Sequence, residues 1–224
     1  NDFGRNNLYK NTDGKFEDVA KEAGVEDIGP GMSACWFDEN GSGLPDLYVV
    51  NMWSAAGRQV VHDKAFPHKF SDTWHGHTKG NSFYRNRGDG TFSNEGTSLG
   101  IEMGRWGWSA DAADFDNDGQ PELFLTCGML TGPKQPDLSG FFWRQVVART
   151  PADRRPDAKY EGGWNAINQF VREGYSWNGH EPNVFYLKDG TRYRDASAES
   201  GNFAEDSRAF AVTDLDGDGC VDII

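Results

Sequence analysis

The chain is short of positive charge, of cysteine and of long apolar runs. Its 224 residues hold 22 Lys and Arg against 35 Asp and Glu, a formal charge of −13. That balance argues against a nucleic-acid backbone as partner, because phosphate recognition needs a basic face. It suits bound cations or a simple solubility charge. Cysteine occurs at Cys35, Cys127 and Cys220 only, with no C-x-x-C pair. This spacing excludes the common zinc patterns, and the odd count leaves at least one thiol free or paired outside the chain. The three read as small buried apolar residues. No apolar stretch approaches the ~20 residues of a membrane-spanning helix. The chain opens on Asn1 and not on Met, so the lack of a visible leader says nothing about export.

Enough apolar surface is present to fold. Hydrophobic residues make up 37%, aromatics 13%, and eight are Trp, which argues against disorder. The 28 glycines suit many tight turns and short strands.

The acids are patterned. "FDENGSGLPDLYV" starts at Phe37, "DFDNDGQPELFL" at Asp114 and "DLDGDGCVDII" at Asp214. Each reads acid-x-polar-x-polar-Gly-x-x-acid and then turns apolar. A second motif precedes each one: "NLYKNTDGKFEDVA" from Asn7, "NSFYRNRGDGTFSN" from Asn81 and "NVFYLKDGTRYRDA" from Asn183. The offset from Asn to the first Asp of its acidic loop is 31, 33 and 31 residues. Two motifs keeping one offset three times mark an internal repeat. The Asp-Gly pairs at 13–14, 89–90 and 189–190, set between apolar runs, predict hairpins. Each acidic loop would join two further strands. A repeat then offers about four short strands, a unit that must stack on its neighbours. The class is all-β. The repeats lie around 7–50, 81–126 and 183–224, with insertions at 51–80 and 127–182. The second insertion is partly helical: Phe141–Arg149 and Trp164–Gly174 have helical spacing, with Gly174 as the stop. Such insertions map to one face, often the binding face.

Carboxylates this close repel unless a cation sits among them. Calcium takes six to eight oxygens, and a loop offering side chains at positions 1, 3, 5 and 9 and a carbonyl at 7 can wrap one ion. Gly at position 6 permits the sharp turn. The predicted ligands are Asp38, Asn40, Ser42, Asp46 and the Leu44 carbonyl in the first loop. The second offers Asp114, Asp116, Asp118, Glu122 and the Gln120 carbonyl. The third offers Asp214, Asp216, Asp218, Asp222 and the Cys220 carbonyl. Two to three calcium ions are expected, with the first loop weakest because it carries two charges where the others carry four. An EF-hand is excluded, since position 12 is Val49 in the first loop and Leu125 in the second where that motif needs Glu.

The pairing of N-x-x-Y-x-N-x-x-G-x-F with D-x-D-x-D-G-x-x-D resembles the FG-GAP/VCBS repeat of integrin-α-type β-propellers. "LYKNTDGKFEDVAKEAGV" (Leu8–Val25) and Ser176–Ile223 are similar to the ASPIC/UnbV group, which includes the cartilage acidic protein 1 relatives. The resemblance implies a propeller, usually of seven blades, of which about three are present. Residues 1–224 are therefore expected to be a partial propeller domain within a longer chain, or one completed by other subunits. Ser42, Glu122 and Tyr193 depart from the usual acid, Asp and Phe. The first two bear on cation affinity.

Four of the five histidines, His62, His68, His75 and His77, fall within one insertion. On a strand, His75 and His77 would share a face, as two metal ligands could. The alternative is a set of polar loop histidines. "RGD" at Arg87–Asp89 lies in the hairpin turn and reads as turn chemistry. No nucleophile elbow, phosphate loop or dinucleotide fingerprint occurs, so no catalytic residue is assigned. The leading functional expectation is a secreted calcium-binding propeller that binds a protein or glycan. Extracellular, periplasmic or cell-surface calcium would fill such loops. The alternatives are a metalloenzyme using the histidines and a subunit of a larger extracellular assembly.

Overall fold

The computed structural model describes residues 4–66, 71–151, 153, 155, 157–201 and 206–224. Twelve short strands are found among these residues. β1 (Tyr9–Thr12) and β2 (Lys15–Asp18) form a hairpin around Asp13 and Gly14, both at positive φ. β3 (Gly31–Phe37), β4 (Asp46–Asn51), β5 (Ser82–Asn86) and β6 (Phe92–Asn94) form a four-stranded antiparallel sheet in chain order. β7 (Gly107–Ala113), β8 (Glu122–Cys127), β9 (Val184–Asp189) and β10 (Arg192–Asp195) form a second sheet of the same order. β11 (Val212–Thr213) and β12 (Asp222–Ile223) pair last. The four sheets do not close into a barrel.

Each sequence repeat holds four strands, as expected, but those four do not make one sheet. β4 pairs with β5 across the first insertion, and β8 with β9 across the second. The sheets therefore run 31–94 and 107–195, out of phase with repeats at 7–50, 81–126 and 183–224. The anchor asparagines explain the jump. Asn81 Oδ1 accepts the Asn51 N–H at 2.8 Å, and Asn183 Oδ1 accepts that of Cys127 at 2.9 Å. Each caps the end of the first hairpin of its sheet just where the insertion leaves.

β4 and β8 are buried along their whole length, as central strands covered on both faces must be. The main core joins the two large sheets through Tyr48, Val50, Phe83, Leu123, Leu125, Val184 and Tyr186. A smaller core sets Ala20, Ala23 and Val25, from the short helix α1 (Ala20–Ala23) and its exit, against Leu47, Val49 and Tyr84.

The insertions are helical. The first carries α2 (Ala55–Val61) and α3 (Ser71–His77). A further short helix, α4 (Gly96–Leu99), follows β6. The second insertion carries α5 (Ser139–Gln145), a 3-10 turn at Val147–Arg149 and α6 (Ala158–Arg172), capped by Asp157. Gly174 ends this helical region at φ 87°. The two insertions pack on each other through Val60, Val61, Phe66, Trp143 and Val147. Phe142, Trp164 and Trp177 extend this contact as an aromatic cluster, with ring centroids 5.0–6.4 Å apart. His75 and His77 lie on α3 and not on a strand. Two residues apart on a helix point to different sides, so the expected shared face is lost. No described helix is long and apolar enough to cross a membrane.

Candidate metal loops and the insertion face

The acidic stretches join β3 to β4, β7 to β8 and β11 to β12. All three adopt one conformation, built by their own side chains. In the second loop the Asp118 N–H donates to Asp114 Oδ1 (3.0 Å) and Asp116 Oδ1 (3.2 Å), and Gly119 N–H to Asp114 Oδ2 (2.9 Å). The third repeats this with Asp218, Asp214, Asp216 and Gly219 at 3.1, 3.2 and 3.0 Å. The first does so with Ser42, Asp38, Asn40 and Gly43 at 3.0, 3.1 and 2.6 Å. Position 6 has positive φ in each, 81° at Gly43, 87° at Gly119 and 89° at Gly219, the region glycine reaches without a Cβ clash. Desolvation pushes Asp38 up, but N–H donors from Gly43 and Ser42 outweigh it and hold the carboxyl below its ordinary range.

Convergence differs among the loops. Carboxylate oxygens of Asp114, Asp116 and Glu122 lie within 4.8 Å of one another, as do those of Asp214, Asp216 and Asp218. Asp118 and Asp222 stand outside these groups. Among the described residues the first loop gathers no such trio.

The ninth position is decisive. Asp46 and Glu122 are both 1% exposed and hold matching places, since Leu47 pairs with Tyr84 as Leu123 pairs with Tyr186. Each accepts the N–H of its loop's second residue, at 3.2 Å from Glu39 and 2.9 Å from Phe115. Asp46 also meets Arg85 Nη1 at 2.8 Å. The same register puts Leu187 where Arg85 stands, so among the described residues Glu122 has no such cation. Burial, together with Asp116, Asp118 and Asp114, pushes its carboxyl up to about 7. A buried carboxylate facing other carboxylates with no cation of its own is a place a hard divalent cation would stabilise. The oxygen-only ligand set of the second loop fits calcium on that ground.

Sequence reasoning missed the neutralising network around the first loop. Glu39, 4% exposed, pairs with Arg85 at 2.5 Å and with Lys188 at 2.7 Å. Lys188 comes from β9, so this pair ties the two large sheets together. The only signal was Arg85 in "NSFYRN" against Leu187 in "NVFYLK". Tyr193, where Phe is usual, is buried, and its hydroxyl donates to the Pro121 carbonyl at 2.9 Å, tethering the second loop. The RGD sequence forms the β5–β6 turn, with Asp89 accepting the Thr91 N–H at 2.9 Å.

The described histidines of the first insertion do not gather as one group. His62 and His75 meet edge to face at 4.5 Å between centroids, whereas His77 packs on Trp74. His68 lies outside the described residues. Among the described residues no trio of ligand side chains includes a histidine. All three cysteines are free; Cys35 and Cys127 are buried and Cys220 is exposed. Burial raises the Cys35 and Cys127 thiols to about 12, which makes them inert.

A cavity of about 180 Å³ lies between the insertions, lined by Ser54, Gln135, Asp137, Asn178, His180 and Glu181 among others. Asn178 and His180 hold positive φ, 43° and 55°, uncommon for side chains other than glycine. Glu181 accepts the Trp106 N–H at 2.7 Å and Asn178 Nδ2 at 3.1 Å, and burial raises its pKa.

Residues 73–125 match the FG-GAP-like repeat. The matched segment runs from α3 through β5, β6 and β7, takes in the second acidic loop, and stops within β8. The repeat thus carries the last two strands of one sheet and the first two of the next, in the phase of the sequence repeat. No curated protein matches the chain.

Proposed function

We propose that the chain is a calcium-stabilised β-propeller segment whose helical insertions form a binding face. The observation that carries the calcium reading is Glu122, buried beside Asp114 and Asp116 without a cation. Calcium, when bound, supplies the missing positive charge. Asp114, Asp116, Asp118 and Glu122 would hold it in the second loop, and Asp214, Asp216, Asp218 and Asp222 in the third. The role is structural, because each loop joins two paired strands, β3 to β4, β7 to β8 and β11 to β12. Sites of this kind fill at the calcium levels outside cells, where extracellular modules bind at roughly 10⁻⁴–10⁻³ M. This supports an exported location, as does the FG-GAP-like repeat. The ASPIC/UnbV resemblance of the flanking segments supports a propeller of the same group.

The binding face is the insertion pair, with aromatic walls and an acidic, strained cavity at its edge. Its partner is a protein or a glycan. Assembly with further blades or subunits is compatible with the same face. Thermal unfolding in calcium and in chelator tests the structural role: the melting temperature rises with calcium, and an identical value in both overturns it. Metal analysis of the native protein addresses the metalloenzyme alternative. A stoichiometric transition metal would redirect attention to His62, His68, His75 and His77.

A further inference from the structure

We propose that Asn117 couples the second and third acidic loops, so that a cation held in one raises the affinity of the other. The inference rests on the calcium reading above. Position 4 of each loop has positive φ: 69° at Gly41, 59° at Asn117 and 79° at Gly217. Glycine takes this conformation freely, whereas an Asn adopts it at a cost that its short polar side chain reduces. Two loops use glycine there and the second loop does not.

The side chain that replaces glycine reaches the neighbouring loop. Asn117 Nδ2 donates to the Gly219 carbonyl at 3.3 Å and approaches Cys220 Sγ at 3.8 Å. Gly219 and Cys220 are positions 6 and 7 of the third loop, the turn glycine and the predicted carbonyl ligand. On its own side Asn117 sits between Asp116 and Asp118. Holding those two fixed fixes Asn117, and Asn117 fixes the turn that must present the third loop's carbonyl. Order in one loop is therefore already present when the other binds, which is positive coupling. Charge acts the other way, because a cation in one loop weakens the negative field at its neighbour. Asn117→Gly leaves charge and backbone conformation intact and removes only the contact. Among the described residues the first loop has no such bridge, and it serves as an internal control.

The turn glycines give separate readouts. Gly43, Gly119 and Gly219 each donate their N–H to the first Asp of their own loop, so each amide resonance reports cation binding at that loop. The experiment is a calcium titration of the whole chain, followed by two-dimensional NMR, for wild type and Asn117→Gly. Melting in chelator checks that the variant folds. In the wild type, Gly119 and Gly219 shift together over one steep range. In the variant they separate, and the later of the two midpoints moves to about 5-fold higher calcium or more, the lower end of ordinary coupling. Gly43 keeps its midpoint. Unchanged midpoints, or a change confined to Gly119, overturn the coupling. If no glycine amide responds to calcium in either protein, the calcium reading itself fails.

Discussion

The first and second acidic loops share a backbone, a register and a buried carboxylate at position 9, yet they balance its charge in opposite ways. Around Asp46 the protein brings its own cations: Arg85, at 12% side-chain exposure, pairs with both Asp46 and Glu39, and Lys188 completes the set. Around Glu122 the equivalent places hold Phe115 and Leu187, and Phe115 stacks edge to face on Phe185 at 5.2 Å. One loop is neutralised within the fold. Beside the other, no such cation stands among the described residues. Identical loop geometry is therefore a poor guide to cation demand, and the neighbouring strand decides it.

The largest effect should come from removing the resident cation. Arg85→Leu leaves two buried carboxylates without it and should destabilise the chelated protein by about 3–5 kcal/mol in denaturant unfolding. A loss below about 1 kcal/mol would mean that Arg85 is dispensable and the contrast unfounded. Isosteric neutralisation sharpens the point, because its sign should differ between the loops. In chelator, Glu122→Gln should raise the melting temperature by about 2–4 °C, the shift that ~1 kcal/mol gives a chain of this size. Asp46→Asn should lower it, since Arg85 loses a partner. The same sign at both loops would break the comparison. In calcium, Glu122→Gln should also lose part of the stabilisation that the ion gives the wild type.

Affinity should follow charge count. The first loop should fill last, about tenfold more weakly than the second and third, and Ser42→Asp should narrow the gap in a calorimetric titration. The smallest effect concerns pH and a residue outside the acidic loops, at the end of α3. Burial holds the His77 pKa below its ordinary 6.5, with Asp27 opposing. The folded value is the lower one, so the stability it contributes is complete above 6.5 and is lost as pH falls. His77→Gln should flatten that acid-side slope in melts between pH 5 and 7, and an unchanged slope would assign it elsewhere.

Legibility differed by scale. Hairpins were readable because Asp-Gly turns and alternating residues act over a few positions, and β1–β2, β5–β6 and β9–β10 lie where those signals stand. The helix around Trp164–Gly174 was readable for the same reason. The α3 helix was not, because "WHGH" carries no periodic signal of its own. The backbone N–H donors of each loop bond to acceptors within five residues, so the common loop frame could be drawn from the local sequence following Asp38, Asp114 and Asp214. Sheet membership was not local. β4 finds β5 after thirty intervening residues, and only the buried ladder and the Asn81 cap make that partner preferable to β3's predecessor in the chain.

What the sequence determined by itself is the repeat, its hairpins and the carboxylate-rich loops, since each depends on residues within a dozen positions. What tertiary structure decided is which strands share a sheet, that the insertions pack on one another, and which loop already has its cation. Arg85, Lys188 and Glu39 are far apart in the chain. Their mutual neutralisation exists only once two sheets are stacked and water is excluded between them, because buried charge is stabilised by what is near in space and not by what is near in sequence.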